Sequence, residues 1–307
     1  MARRAALLWR LARPAGLAWV ALSPLLGYGV AHWSRALPAV DPLGAGVLVV
    51  AWALLTAGTM WGNAAFDRDD GPVLFGTAAE VPRHIWAEAS LALALGVGVA
   101  ASAGALPGLC ALCCALLAVG YSHPAVGWKA RPLGGPLVNV LGFGLASPLA
   151  GYTLVQVPLD LRSALLLLTS ALSVLGAYFV AQAFQEEEDR ARGYRTLVAT
   201  AGPRAVLAAA RIAFAASFAM GLGLAAAGWI PRSCWIALPA CLRLDARLSA
   251  WQAQPQGRGE RDAREALYGA LSVGLLFVVG ATITWIYQIL HHLPLAGLGT
   301  AAGVPTR

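Results

Sequence analysis

The chain has 307 residues, of which 59% are hydrophobic and only 12% charged, and its mean hydropathy is +0.66. A soluble domain carries about 25% charged residues, so a large soluble core is excluded and an integral membrane protein remains. The net charge of +7 does not point to nucleic acid. The basic residues are spread over several loops, and the bias of membrane-protein loops accounts for them without such a ligand.

In chain order, an arginine-rich opening (Arg3, Arg4, Arg10, Arg13) precedes the first apolar run. More spans follow and no small-residue cleavage site is evident, so this run reads as an uncleaved first helix. Nine spans are predicted, at about 16–33, 44–66, 86–105, 107–122, 135–156, 163–184, 205–229, 231–245 and 266–290. Continuous runs of roughly 20 residues suit helices and not a β-barrel, and the 34 glycines suit close helix contact in lipid. The span at 231–245 is the weakest, being short and holding Pro239. Cys110, Cys113 and Cys114 have a metal-like spacing, but no histidine or charge accompanies them, and they read as small packing residues. Ser249 to Arg264 reads as a flexible solvated loop, and the residues from about Leu293 as a frayed tail. The expected architecture is all-α: a polytopic membrane protein, one domain over 1–307, with about nine transmembrane helices around a central cavity.

With the N-terminus placed in the cytoplasm, seventeen of the 22 basic residues fall on the cytoplasmic side. Only Arg35, Arg162, Arg232 and Arg307 fall opposite, and Arg211 lies within a span. The rule that positive loops stay inside therefore sets this orientation, in a bacterial-type plasma membrane. It places three loops on one face: those after spans two and six, and the loop with Lys129, the only lysine.

The loops after spans two and six hold seven of the fifteen carboxylates. The first run is Asn63-Ala-Ala-Phe-Asp67-Arg68-Asp69-Asp70; the second is Gln182-Ala-Phe-Gln185-Glu186-Glu187-Glu188-Asp189-Arg190. On a continuous helix, positions i, i+4 and i+7 share a face. Those positions read Asn63, Asp67, Asp70 in one run and Gln182, Glu186, Asp189 in the other. The repeat of amide, acid, acid predicts two half-sites holding Mg²⁺, which prefers oxygen ligands and keeps substrate phosphates in its shell. Lys129, Arg68 and Arg190 are the expected phosphate contacts. An ordinary charged helix end explains either run alone, but surface ion pairs contribute too little to explain a matched pair.

These residues resemble the UbiA family of intramembrane prenyltransferases. The first family motif, Asn-Asp-x-x-Asp-x-x-x-Asp, matches at Asn63 and Asp67, with Phe66 and Arg68 as typical neighbours. The middle motif matches at Tyr121-Ser122-His123-Pro124 followed by Lys129. The second acidic motif matches at Asp189-Arg190, Gly193 and Arg195-Thr196-Leu197, with Gly202 shortly after. Ala64, Gly71, Gln182 and Gln185 stand where the family has acids. Asp70 and Glu186 are replacements expected from helical phase alone.

The resemblance implies Mg²⁺-dependent transfer of a prenyl group from an allylic isoprenyl diphosphate to an acceptor, often aromatic or otherwise lipophilic. Asp67, Asp189 and Lys129 are the expected catalytic residues, and Asp67, Asp70, Glu186 and Asp189 the expected metal ligands. Asn63, Arg68, Tyr121, Ser122, Gln182, Gln185, Arg190 and Asn139 are the expected substrate contacts. Trp61, Phe66, Tyr121, Tyr178 and Phe179 are candidates to flank an allylic cation, and His123 is a candidate base, although packing accounts for each of these as well. Two rival readings follow. One is a degenerate relative that binds an isoprenoid without transferring it. The other is a cation transporter, disfavoured because transporters hold charge near the bilayer midplane and these span interiors are nearly free of acids.

Overall fold

The structure is a computed structural model that describes residues 2–35, 40–67, 74, 80–256 and 259–290. All regular elements among the described residues are helical. In order they are α1 (Ala2–Leu11), α2 (Pro14–Ala21), α3 (Ser23–Arg35), α4 (Pro42–Asp67), α5 (Ile85–Ser102) and α6 (Ala105–Ser122). A 3₁₀ turn over Trp128–Ala130 leads to α7 (Gly134–Asn139), a π segment (Val140–Ala146) and α8 (Ser147–Leu154). Then come α9 (Leu161–Phe184), α10 (Glu186–Ala191), α11 (Leu197–Ala201) and α12 (Pro203–Ala226). A second 3₁₀ turn (Arg232–Ala237), α13 (Leu238–Ala253) and α14 (Glu260–Leu290) complete the order.

Local chemistry sets the helix starts. Pro14 and Pro203 occupy first-turn positions, where a missing N–H costs nothing. Asp160 caps α9 by accepting from the Ser163 N–H at 2.8 Å. Among the described residues, eight helical stretches are long and apolar enough to cross a membrane, and the protein is an integral membrane protein. They correspond to eight of the nine predicted spans. The ninth, at 231–245, is a 3₁₀ turn followed by α13, a 16-residue helix that carries Arg243, Asp245 and Arg247. The predicted loop from Ser249 is also largely helical: α13 continues to Ala253 and α14 begins at Glu260. Its polar residues are the charged ends of two helices, tied to each other by the Arg247–Glu265 pair, with Arg264–Glu260 pairing within α14.

Two cores organise the bundle. The first joins α4, α5, α6 and α8 around Leu48, Trp52, Leu55, Ala111 and Ala150. The second joins α9, α12, α13 and α14 around Val180, Leu207, Phe214, Leu248 and Val273. Lipid offers no hydrophobic drive between helices, so close packing must hold them together. Where α3 crosses α8, a Cβ on Gly27 would lie 1.6 Å from the Pro148 carbonyl oxygen, and one on Gly151 would lie 1.8 Å from that of Pro24. Only glycine permits that crossing.

The span from Gly134 to Leu154 is wound irregularly at its centre. Pro148 has no N–H to donate, so the ladder is interrupted there, and the Ser147 N–H and hydroxyl both donate to Gly142 O. Trp52 of α4 in turn donates to Ser147 Oγ at 2.6 Å. The π segment is thus fixed from a neighbouring helix, and Asn139 lies at its start. Such segments recur at functional sites.

Candidate active site

Three chain segments meet at one end of the bundle. The first is the end of α4, with Asn63 and Asp67. The second is the loop after α6, with Ser122 at its start and Lys129 in the 3₁₀ turn. The third runs from the end of α9 through α10 to α11. The Arg195 N–H donates to Ala130 O at 2.9 Å, which joins the second and third segments through main chain alone.

The third segment owes its shape to a glycine. Gly193 has φ +70°, a left-handed conformation that glycine adopts freely. The Gly193 N–H donates to Arg190 O and the Tyr194 N–H to Asp189 O, the two bonds of a Schellman stop. The chain turns at once toward Thr196, whose hydroxyl donates to Asp189 Oδ2 at 2.7 Å. Asp189 is only 9% exposed. Burial pushes its carboxyl above the ordinary 3.8; the Asp67 charge adds to the rise, while the Thr196 bond and the Arg192 and Lys129 charges oppose it.

Asp67 has a different setting. Lys129 Nζ donates to Asp67 Oδ1. Arg192 Nη1 lies 3.5 Å from the same oxygen, and its Nη2 donates to the Asp67 carbonyl at 3.1 Å. Lys129 also lies over the Tyr194 ring, 5.9 Å from its centroid, a distance at which an aromatic face still attracts a cation. Ser122 Oγ donates to Asn63 Oδ1. Lys129 and Arg192 thus contact Asp67, and their charges and that of Asp67 act on Asp189.

A neutral network adjoins them. Gln182 Nε2 donates to the Tyr178 hydroxyl at 2.9 Å, and Tyr121 lies near Tyr178. Tyr178 reaches this position because residue 135 is glycine: a Cβ there would lie 1.9 Å from the phenol oxygen. Tyr121 lies within the fields of Asp67, Asp189 and Arg13. Arg13 has a left-handed backbone, φ 52°, which is uncommon away from glycine.

The structure brings Asn63, Asp67, Tyr121, Ser122, Lys129, Gln182 and Asp189 together. Arg68 and Asp70 lie outside the described residues. Glu186 does not share the face expected for it. The helix breaks at Gln185 (φ −91°, ψ 11°), so the phase that relates Gln182 to Glu186 is lost. Glu186 pairs instead with Arg190 at 2.9 Å, and the Arg190 side chain is 58% exposed. Gln185 forms the junction between α9 and α10, with its N–H donating to Gln182 O. Asn139 Nδ2 donates to Gly135 O at 3.0 Å, a bond within its own helix. Among the flanking aromatics, Trp61 donates to Leu8 O and Phe179 is buried in the second core. Phe66 packs with Trp86 and His123 at 4.9 and 5.3 Å between ring centroids.

Sequence reasoning missed Arg192 and Thr196 as site residues. Arg192 precedes Gly193 in the Asp-Arg-x-Arg-Gly stretch, and a helix stop there swings such a side chain back across the helix end. Thr196 lay inside the matched motif, and its separation from a buried acid by one tight turn was the available signal.

Among the described residues no group of three or more His, Cys, Asp or Glu gathers as a metal cage. Two carboxylates near one pair of cations fit the other way Mg²⁺ is held, through one or two acids plus substrate phosphates. The donor set therefore suits a divalent ion that arrives with a phosphate ligand.

The fold and this polar cluster define an all-helical intramembrane protein whose acids and bases converge at one end of its bundle. A family model for the UbiA prenyltransferase family matches residues 21–264, and the chain belongs to that family. No curated protein matches by sequence. Among solved structures, a digeranylgeranylglyceryl phosphate synthase matches with a TM-score of 0.64 at 16% identity, covering 93% of this chain and 99% of that one. A UbiA homolog from Archaeoglobus fulgidus bound to DMAPP and Mg²⁺ matches with a TM-score of 0.62 at 18% identity, covering 94% and 100%. The apo structure of a UbiA homolog from Aeropyrum pernix K1 matches with a TM-score of 0.62 at 20% identity, covering 86% and 97%.

Proposed function

We propose that the chain, as one domain over its full length, transfers a prenyl group from an allylic isoprenyl diphosphate to an aromatic or otherwise lipophilic acceptor. The site then faces the cytoplasm, on the side to which the positive loops assign the N-terminus. The observation that carries this reading is the convergence of Asp67, Asp189, Lys129 and Arg192. Family membership and the diphosphate and Mg²⁺ bound by the Archaeoglobus fulgidus homolog support it.

In this mechanism Lys129 and Arg192 release part of their hold on Asp67 and donate to phosphate oxygens. Asp67 and Asp189 would hold Mg²⁺, which would supply neutralisation of charge on the departing diphosphate. Asn63 and Ser122 orient one another beside the leaving group, and Tyr121 offers it a hydroxyl. Charge developing on the leaving group thus meets fixed donors, an effect commonly worth about 10²–10³ in rate per donor. The allylic cation forms among apolar helices, where little water competes with the acceptor.

The test is Mg²⁺-dependent pyrophosphate release by membranes given an allylic diphosphate and candidate acceptors. Asp67→Ala, Asp189→Ala and Lys129→Ala should each abolish it; undiminished release in the two aspartate variants would refute the assignment. A second reading, isoprenoid binding without transfer, is favoured by the amides at Gln182 and Gln185 and by the small number of carboxylates gathered among the described residues. Binding of prenyl diphosphate with Mg²⁺ and no pyrophosphate release would select it.

A further inference from the structure

Gln182 has an unusual hydrogen-bond balance. It is 2% exposed, and its Nε2 is engaged with Tyr178. Its Oε1 finds no hydrogen-bond partner among the described residues. Buried polar atoms in native proteins are almost always paired, and an exception calls for an explanation. Loose packing does not supply one, because the residue is buried and its other end is anchored. Gly135 admits the Tyr178 hydroxyl that anchors the amide, and Gln182 follows Val180 of the second core.

The position is also next to the chemistry. The Gln182 carbonyl accepts from the Gln185 N–H, and the Gln185 carbonyl accepts from the Asp189 N–H, so main-chain bonds tie the amide to the buried acid. A third carboxylate there would add charge beside an acid already buried and already opposed by its neighbour. An amide oxygen accepts a hydrogen bond without that penalty. Its complement is an O–H donor brought by a ligand.

We propose that Gln182 Oε1 accepts a hydrogen bond from a ligand hydroxyl in the reaction site: a water carried by the metal, or the hydroxyl of the prenyl acceptor. This rests on the prenyltransferase reading. Tyr178 is the positioning residue, since its hydroxyl accepts from Nε2 and leaves Oε1 for the ligand.

The experiment uses full-length purified protein with geranyl thiolodiphosphate as a slow-reacting donor. Calorimetry measures Mg²⁺ affinity in its presence, and then the relative binding of 1-naphthol and 1-methoxynaphthalene. Gln182→Met removes the acceptor oxygen at nearly constant length. If the hydroxyl is a metal-held water, Mg²⁺ binding weakens about tenfold, as loss of one hydrogen bond predicts. If it belongs to the acceptor, Mg²⁺ binding holds and a wild-type preference for naphthol over its ether, about tenfold, disappears. Gln182→Asn retracts the amide by one methylene and should show the same loss, so the test survives if the methionine variant does not fold. Wild-type values for both quantities in a folded variant would overturn the proposal. A wild-type protein that binds no thiolodiphosphate with Mg²⁺ overturns the prenyltransferase reading, and this inference with it.

Discussion

The two acidic runs repeat one pattern in sequence and end in opposite electrostatic settings. Asp67 terminates a 26-residue helix and meets two cations, Lys129 and Arg192. Asp189 lies in a six-residue helix and meets a hydroxyl, Thr196, beside the Gln182–Tyr178 pair. One half is poised by charge and the other by burial. Sequence spacing reports which residues share a helix face only while the helix continues, and the second run breaks at Gln185.

The sharpest way to break this comparison is to neutralise each acid. Asp67→Asn and Asp189→Asn should each lower Mg²⁺-dependent pyrophosphate release on the order of 10²-fold or more. Their stabilities should diverge. A carboxyl whose folded value is raised favours folding below its unfolded value and loses that contribution as pH rises through the folded one. Asp189 is raised, so its ionised form opposes folding at neutral pH. In metal-free buffer at pH 7, Asp189→Asn should therefore melt no lower than wild type, and any advantage should vanish as pH falls toward the ordinary carboxyl value. Asp67→Asn leaves Lys129 without its carboxylate, while Arg192 keeps Glu188 at 2.6 Å, and should melt lower.

Lys129→Met should cost about 10²-fold in release through the charge-poised half, whereas Thr196→Val should cost about tenfold through the buried half. Mg²⁺ affinity in the presence of thiolodiphosphate, followed against pH, sharpens the contrast. Acid should weaken it from a pH above the usual aspartate range, because Asp189 takes up its proton early. Thr196→Val removes a bond that lowers this value and should move the loss to still higher pH. The smallest effect belongs to Glu186→Gln. Its partner Arg190 is largely exposed, and surface pairs contribute about 0–1 kcal/mol; release should change by less than about threefold.

Much of the fold was legible because lipid demands long apolar helices, and 59% hydrophobic composition declares them. The stretch at 231–245 was harder to read because a 3₁₀ turn and three charges blur its period. The motif residues Asn63, Asp67, Ser122, Lys129 and Asp189 were legible for the site. Arg192 was not, since its reach to Asp67 spans 125 positions and depends on a reversal at Gly193. Tyr178 was legible as an aromatic but not as the partner of Gln182, because the space it needs is the missing Cβ of Gly135.

The bond from the Arg195 amide to the Ala130 carbonyl ignores the identity of either side chain. The seam it sutures stays closed whichever groups happen to line it. Side chains along that seam can therefore change, and reactivity be retuned, without first having to reinvent the scaffold.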